Sequence, residues 1–387
     1  MTTFLFNWII GFRNILRISL DKGFLFFLKP GLIPRSKLKR IGILHPDGLG
    51  DLILFLDALR GYRERFDKSE YEIYLIVEEC LADFARDLLK IHPYADHVMV
   101  LSFKFRKNFF YRYKKLKEIK SIGFDVFINA SISRSLTCGD ILTFASGACF
   151  RFGFNAPPNQ VAEKAIGDRF YTHLVSDPKW QTHELERNAR LVVAVGNKGF
   201  QYKRPFLESF INKEKENYFI VAPGASSPVR RWPISNFVQL IIKIYSEFKL
   251  IPLIVGGKED LYLGDEMTAS APQLPWRNMI GKTSLIELTR VISRGRFTIA
   301  NDSGPMHLSM AVGVQTVAIV AGGEFTAYPA YPKDLLENIL IIHDVKTDCF
   351  NCKWECIYEA GKNEIKPCLK NITVEQVYQK IIPFITS

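Results

Sequence analysis

The sequence predicts an α/β protein of two domains, and three observations carry that prediction. Its 387 residues suit two domains of roughly 150 to 200 residues each. Strand-length apolar runs alternate with helix-length amphipathic runs from Arg40 onward. Three strand-to-helix junctions are rich in Gly, Ser, Asp and Arg, at the carboxyl edge where ligands bind in open α/β folds.

Residues 1–40 read as an N-terminal extension. Arg13 and Arg17 interrupt the apolar run that starts at Phe4, so no spanning helix is expected. Positive charge follows the apolar run instead of preceding it, so a cleavable signal peptide is not expected. Trp8, Phe12, Ile15 and Leu16 share a helical face, Phe24 to Leu28 adds apolar area, and Arg35, Lys37, Lys39 and Arg40 add charge. That pattern fits an interfacial helix on an anionic leaflet. A helix packed on the protein's own body is the alternative.

Residues 41–205 form the proposed first domain. Arg40 to His45 is its first strand, Pro46-Asp47-Gly48-Leu49-Gly50-Asp51 the loop, and Leu52 to Arg65 a helix. A dinucleotide fingerprint fails here, because the third glycine would fall at Ile53. Instead Asp51 stands at a helix start, as a capping carboxylate or as a base. Further strands are expected at Tyr71 to Val77, His97 to Leu101 and Asp125 to Ile128. Phe103 to Lys117 is basic and aromatic, either a solvated helix face or a surface for an anionic glycolipid; it carries no nucleic-acid motif. Arg134, in Ser131-Ile-Ser-Arg134-Ser, is a candidate acceptor contact together with His45, Asp47 and Gly50. His183 and Glu184 open a helix leading towards the second domain, with His183 read as structural.

Residues 206–371 form the proposed second domain. Tyr218 to Ala222 is a strand, followed by Pro223-Gly-Ala-Ser226-Ser-Pro-Val-Arg230-Arg231-Trp232-Pro233 and a helix from about Ser235 to Phe248. The Gly/Ser turn exposes backbone N–H groups, and two adjacent arginines offer forked donors that match a diphosphate. Trp232 reads as packing. Lys249 to Val255 is the next strand, and Asp260 beyond it is placed to accept from a ribose diol. Ser284 caps a helix with Leu285, Leu288, Val291 and Ile292 on one face. Phe297 to Ala300 is a strand, and Asn301-Asp302-Ser303-Gly304-Pro305-Met306-His307 turns into a helix with Pro near its first position. Short polar side chains, free N–H groups and a histidine at a helix start suit phosphate; an ordinary capped turn is the alternative.

Cys349, Cys352, Cys356 and Cys368 have spacing compatible with a structural zinc, or with free thiols in a packed subdomain. Residues 372–387 read as a terminal helix capped by Thr373.

Composition narrows the function. Net charge is +11, yet residues 1–40 and 101–120 each carry eight Lys/Arg against one acid. Basicity is therefore local, which points to an anionic surface or substrate and not to general charging. Hydrophobic content of 48% and a mean hydropathy of +0.02 indicate globular cores.

Taken together, Gly48-Leu-Gly-Asp51, His183-Glu-Leu-Glu-Arg187, Pro223-Gly-Ala…Arg230-Arg-Trp-Pro233 and Gly281-Lys-Thr…His307 resemble glycosyltransferase family 9, the heptosyltransferases of the bacterial lipopolysaccharide core, over roughly Ile41 to Ile381. The resemblance implies a GT-B fold of two Rossmann-like, doubly wound domains, an inverting mechanism and a nucleotide-sugar donor such as ADP-heptose. It places the catalytic base at Asp51, and no cofactor is required for catalysis. Ser226, Arg230, Arg231, Asp260, Asp302, Ser303, Gly304 and His307 are the expected donor side. In such folds the terminal helix can cross back to the first domain. The chain departs from the family's pattern at His45, Asp47 and Asp57, where members often carry Arg, a small polar residue and Pro. The expected partners are a nucleotide-sugar and an anionic glycolipid, with no nucleic acid. The expected location is the cytoplasm, peripherally on the inner membrane.

Overall fold

The computed structural model describes residues 2–27, 37–156, 160–176, 182–332, 335, 338–344, 347–358 and 364–386. The chain forms two compact units. One comprises Met1–Gly48, Leu56–Trp180 and Leu185–Tyr202; the other comprises Leu49–Phe55, Gln181–Glu184 and Lys203–Ser387. The main crossing thus falls at Tyr202 to Lys203, and the short segment holding Gly50 and Asp51 clusters with the second unit.

In the first unit α1 (Thr2–Phe27) precedes β1 (Lys39–His45) and α2 (Leu49–Arg65). Then come β2 (Tyr71–Glu78), α3 (Ala82–Ile91), β3 (His97–Leu101), α4 (Lys104–Lys107) and α5 (Phe109–Ile122). The unit continues with β4 (Val126–Asn129), α6 (Ile141–Ala145), β5 (Phe150–Phe154), α7 (Val161–Ala165), β6 (His173–Val175) and α8 (Glu184–Ala194). Its six strands are all parallel in the order β3-β2-β1-β4-β5-β6. A parallel sheet covered on both faces needs continuous apolar strands; β1 meets this with Ile41, Ile43 and Leu44 all buried. Gly42 is the exception that fits, because a Cβ there would lie 2.5 Å from the Phe127 ring.

The N-terminal helix is integral to this unit. Ile18 and Leu25 enter its core, and Asp21 between them is fully buried. Arg112 of α5, buried as well, donates from Nε to both Asp21 carboxylate oxygens at 2.9 and 3.1 Å. Spacing of three and four residues puts Ile18, Asp21 and Leu25 on one helical face, and that face is the one α5 covers. The side chains of Trp8 and Phe12, and residues Leu28 and Arg35, lie outside the described residues. Arg40, expected among the surface charges, is instead buried. It donates from Nη1 to the Ile122 carbonyl at 2.6 Å, and its amide donates to Asp125 at 2.8 Å.

In the second unit β7 (Tyr218–Ala222), α9 (Ile234–Phe248), β8 (Ile251–Ile254), α10 (Leu261–Ser270) and β9 (Arg277–Asn278) are followed by α11 (Leu285–Arg294), β10 (Phe297–Asn301), α12 (Gly304–Ala311), β11 (Gln315–Ile319), β12 (Ile339–Ile342), α13 (Pro367–Lys370) and α14 (Val374–Thr386). The sheet is again parallel, in the order β12-β11-β10-β7-β8-β9. β7 and β10 are buried along their whole length. Ser284 caps α11 as predicted, in a reciprocal box: its Oγ accepts from the Glu287 amide at 3.2 Å, and its own amide donates to Glu287 at 2.8 Å. The terminal helix α14, capped by Thr373 accepting from the Gln376 amide at 3.2 Å, belongs to this second unit. Val377, Tyr378 and Ile381 join its core beside α9.

Candidate functional site

Both sheets reverse strand order at one point, between β1 and β4 in the first unit and between β7 and β10 in the second. In open α/β sheets the loops leaving the carboxyl ends of such strands diverge, and ligands bind between them. In the second unit the two loops are Pro223–Arg230 and Asn301–Gly304, the segments the sequence singled out.

They are tied together by a residue the sequence reading did not single out. Asn301 ends β10 fully buried; its Oδ1 accepts from the Trp232 amide at 3.0 Å and its Nδ2 donates to the Pro223 carbonyl at 2.7 Å. Both ends of the arginine-bearing turn are thus held by one amide side chain. Trp232 is packing, as expected: it is fully buried and donates from Nε1 to the Ile372 carbonyl at 2.9 Å.

The two arginines divide the work. Arg231 is committed to its own turn, donating to the Ala225 carbonyl from Nε at 3.0 Å and from Nη2 at 2.7 Å, with Tyr262 as a further partner. Arg230 is partly exposed. It donates from Nη1 to Asp302 at 3.3 Å and from Nη2 to Ser226. Arg230, Ser226 and Asp302 therefore form one polar cluster spanning both loops. Burial raises the Asp302 carboxyl above its ordinary range, and Arg230 opposes that shift. Ser303 has the extended backbone of a helix cap and donates from Oγ to the Asn301 carbonyl at 3.2 Å; Gly304 and Pro305 begin α12.

Asp260 sits close under the loops. A Cβ on Gly224 would fall 2.2 Å from its carboxylate and one on Gly256 2.9 Å from it, so both glycines are required by close approach. The Gly257 amide donates to Asp260 Oδ2 at 3.3 Å, Arg231 lies 3.7 Å from Oδ1, and Oδ1 accepts no hydrogen bond. Burial raises this carboxyl too.

His307 is buried in α12. Its Nδ1 shares a 2.6 Å hydrogen bond with the Tyr331 hydroxyl. Burial, aided by Arg230, lowers the imidazole to about 3, so the ring is neutral at physiological pH. The opposite ring edge faces Gly50, where a Cβ would stand 2.7 Å from Cδ2, and Leu49 packs against Gly304. The turn that begins α2 and carries Asp51, in its first turn and half-buried, thereby rests on the Asp302–His307 loop within the same unit. Tyr331 was not foreseen, since a lone tyrosine in a Pro-rich loop carries no pattern. His183 proves structural, donating from Nε2 to the Tyr328 carbonyl at 2.8 Å with its ring 5.0 Å from Tyr331.

The expected acceptor residues of the first unit behave differently. His45 is buried at the end of β1. Half-buried Asp47 accepts from Ser131 Oγ at 3.1 Å, and desolvation pushes its carboxyl up to about 6. Arg134 is not available to an acceptor. Its side chain is wholly buried, paired through Nε and Nη2 with Asp140 at 2.9 and 3.0 Å and bonded to the Phe154 carbonyl at 3.0 Å. It is an internal strut.

Cys349, Cys352, Cys356 and Cys368 line one cavity of about 380 Å³ with Phe350, Trp354 and Arg230. The sulfurs of Cys349 and Cys356 are 4.0 Å apart, and Cys368 accepts from the Gly322 amide at 3.4 Å. Among the described residues, no three His, Cys, Asp or Glu side chains gather closely enough to hold a metal ion. Burial raises the Cys368 thiol above its ordinary range.

Residues 112–353, more than half of the chain, match the family described as glycosyltransferase family 9 (heptosyltransferase). A lipooligosaccharide heptosyltransferase 2 of Campylobacter jejuni is 27% identical over 184 residues, covering 46% of this chain and 55% of that protein. The lipopolysaccharide core heptosyltransferase OpsX of Haemophilus influenzae is 21% identical over 248 residues, covering 59% of this chain and 65% of that protein. The chain thus spans between about half and two thirds of the length of these relatives. Among solved structures, an Escherichia coli ADP-heptose LPS heptosyltransferase II is similar with a TM-score of 0.67 at 17% identity, covering 90% of this chain and 98% of that one. At that identity the likeness is one of fold, the two-domain GT-B type.

Proposed function

The chain belongs to glycosyltransferase family 9, and from that premise we propose that it is an inverting glycosyltransferase. It moves a sugar, heptose from ADP-heptose as the first choice, onto an acceptor of the lipopolysaccharide-core type. The observation that carries this reading is the convergence, within one unit, of the Arg230–Ser226–Asp302 cluster, the α12 start and the turn bearing Asp51.

In this reading an acceptor hydroxyl loses its proton to the Asp51 carboxylate while its oxygen attacks the anomeric carbon. The bond from that carbon to the diphosphate oxygen breaks, and the departing charge meets Arg230 and the amides at the start of α12. Neutral His307 is suited to donating a hydrogen bond from Nε2 without adding charge. Asp260 accepts from a donor hydroxyl. The scheme asks for no divalent metal. The acceptor is an anionic glycolipid met at the cytoplasmic face of the inner membrane.

The same chemistry with another nucleotide-sugar, in capsule or O-antigen assembly, is the second reading, and the departures at His45 and Asp47 favour keeping it in the test. Purified protein is screened for thermal stabilisation by ADP-heptose and other nucleotide-sugars, then assayed for transfer. A ligand at a hundred times its Kd stabilises by about 2.7 kcal/mol. Selective stabilisation by an ADP-sugar with transfer is expected; stabilisation by a different nucleotide supports the second reading. Absence of both binding and transfer would leave a non-catalytic scaffold.

A further inference from the structure

The first unit carries an apolar and cationic surface that no step of sugar transfer uses. With Ile18, Asp21 and Leu25 of α1 fixed against α5, the helix presents Ile15, Leu16 and Leu20 outward and ends in Phe26 and Phe27, which are 84% and 83% exposed. The helices beside it continue the pattern. Arg17 donates from Nη1 to the Arg106 carbonyl of α4 at 2.9 Å. Phe24 meets Tyr113 of α5 edge-on at 4.3 Å, and Tyr113 meets Phe109 at 4.2 Å. Phe103 and Phe109 are exposed, and Phe110 is 82% exposed. Between these rings stand exposed Lys104, Arg106, Lys107, Lys114 and Lys117, and no acidic residue occurs from Phe103 to Lys117.

We propose that this surface, built by α1 with α4 and α5, docks the protein onto an anionic lipid bilayer. Phenylalanines this exposed are costly in water and suit the headgroup–acyl boundary, while the lysines among them suit anionic headgroups. A second copy of the chain is a poor occupant, because a two-fold contact would set cations against cations. Nucleic acid would satisfy the cations but leave Ile15, Leu16 and Leu20 without an apolar partner. The buried Asp21–Arg112 pair anchors α1, so the surface is part of the folded unit. The inference deepens the membrane side of the proposed function and rests on it only for which membrane is met. Vesicle binding needs no transfer, so either can fail alone.

The full chain is sedimented with vesicles of equal parts phosphatidylcholine and phosphatidylglycerol, and with phosphatidylcholine alone. Selective binding to the anionic vesicles, weakening as salt rises, is expected. Phe27→Ser with Phe110→Ser, and separately Lys107→Gln with Lys114→Gln and Lys117→Gln, should each lower partitioning about tenfold or more. Their melting temperatures should stay unchanged, because every altered side chain is exposed. If the wild type ignores anionic vesicles or binds neutral ones equally, the proposal is overturned. Variants that bind as wild type overturn it too, as does a patch that instead holds a lipid-free dimer in light scattering or retains RNA in place of lipid.

Discussion

The two sheets share one strand order, yet their switch points are built from contrasting materials. After β7 and β10 the chain places glycines, serine, a partly exposed arginine and a helix start. At the ends of β1 and β4 it places buried His45, Asp47 bonded to Ser131, and an arginine sealed inside the unit. Arg230 and Arg134 both face carboxylates. Arg134 has its guanidinium satisfied by two aspartates and a carbonyl, and Arg230 keeps part of its fork open. Topology supplies the location for a ligand, and the degree to which side chains are already satisfied decides whether one is bound.

The strongest test of this contrast lies in the buried struts. Arg112→Ala removes the guanidinium that pairs with buried Asp21 and leaves it only Tyr113 and Arg17 nearby, a loss of up to about 3–5 kcal/mol, read as a lowered denaturant midpoint. Asp21→Leu with Arg112→Met should restore much of it; failure of the double variant would show that α1 is held by something else.

Next in size is Asp51→Asn, which keeps shape and removes the base. Turnover should fall by about 10² or more with donor affinity little changed. Near-normal turnover would remove Asp51 from that role.

Gly50→Ala places a methyl 2.7 Å from the His307 ring. Overpacking of that kind costs about 1–3 kcal/mol, so both the melting temperature and turnover should drop. An unaffected enzyme would mean that the Asp51 turn does not rest on α12.

The arginines sharpen the comparison within the second unit. Arg230→Ala should weaken nucleoside diphosphate binding about tenfold, the scale of one charge-assisted hydrogen bond, with little change in stability. Arg231→Ala should lower the melting temperature as well, because the Ala225 carbonyl loses both its donors. Equal melting temperatures for the two variants would erase the division between them.

The smallest effect is the slope of stability with pH, and the two units oppose each other. Asp47, raised to about 6 by burial, binds a proton in the native state first. Its stabilisation is complete below the unfolded value near 3.8 and is lost as pH rises through about 6. His307, lowered to about 3, stays neutral when buried, so stability is complete above 6.5 and is lost as pH falls. Each contributes a slope of at most about 1.4 kcal/mol per pH unit, of opposite sign, between pH 4 and 6. The two slopes offset each other in the wild type, so Asp47→Asn should leave stability rising with pH in that window, and His307→Gln should leave it falling. Parallel melting curves for the two variants would contradict the opposition.

Much of this was legible from residue order. Period and capping gave α9, α11 and the strands β1 to β4, β7, β8 and β10, because those signals act within one or two turns; the strands β5, β6, β9, β11 and β12 were not read. The polar run Asn301–His307 and the Arg230–Arg231 pair marked the second switch point for the same reason. Arg134 misled, because an arginine among serines reads alike whether it faces solvent or Asp140. Arg40 misled for the same reason, its partner carbonyl lying 82 residues away.

What the sequence determined by itself was the alternation of elements and the loops at the strand ends. Tertiary structure alone decided that Asn301 clamps a turn 69 residues away, that Tyr331 meets His307 across 24 residues, and that Asp21 finds Arg112 across 91. Backbone propensity and caps are local energies written in neighbouring residues. Satisfying a buried polar group is a contest among every donor and acceptor the fold brings near, and only the folded chain names the winner.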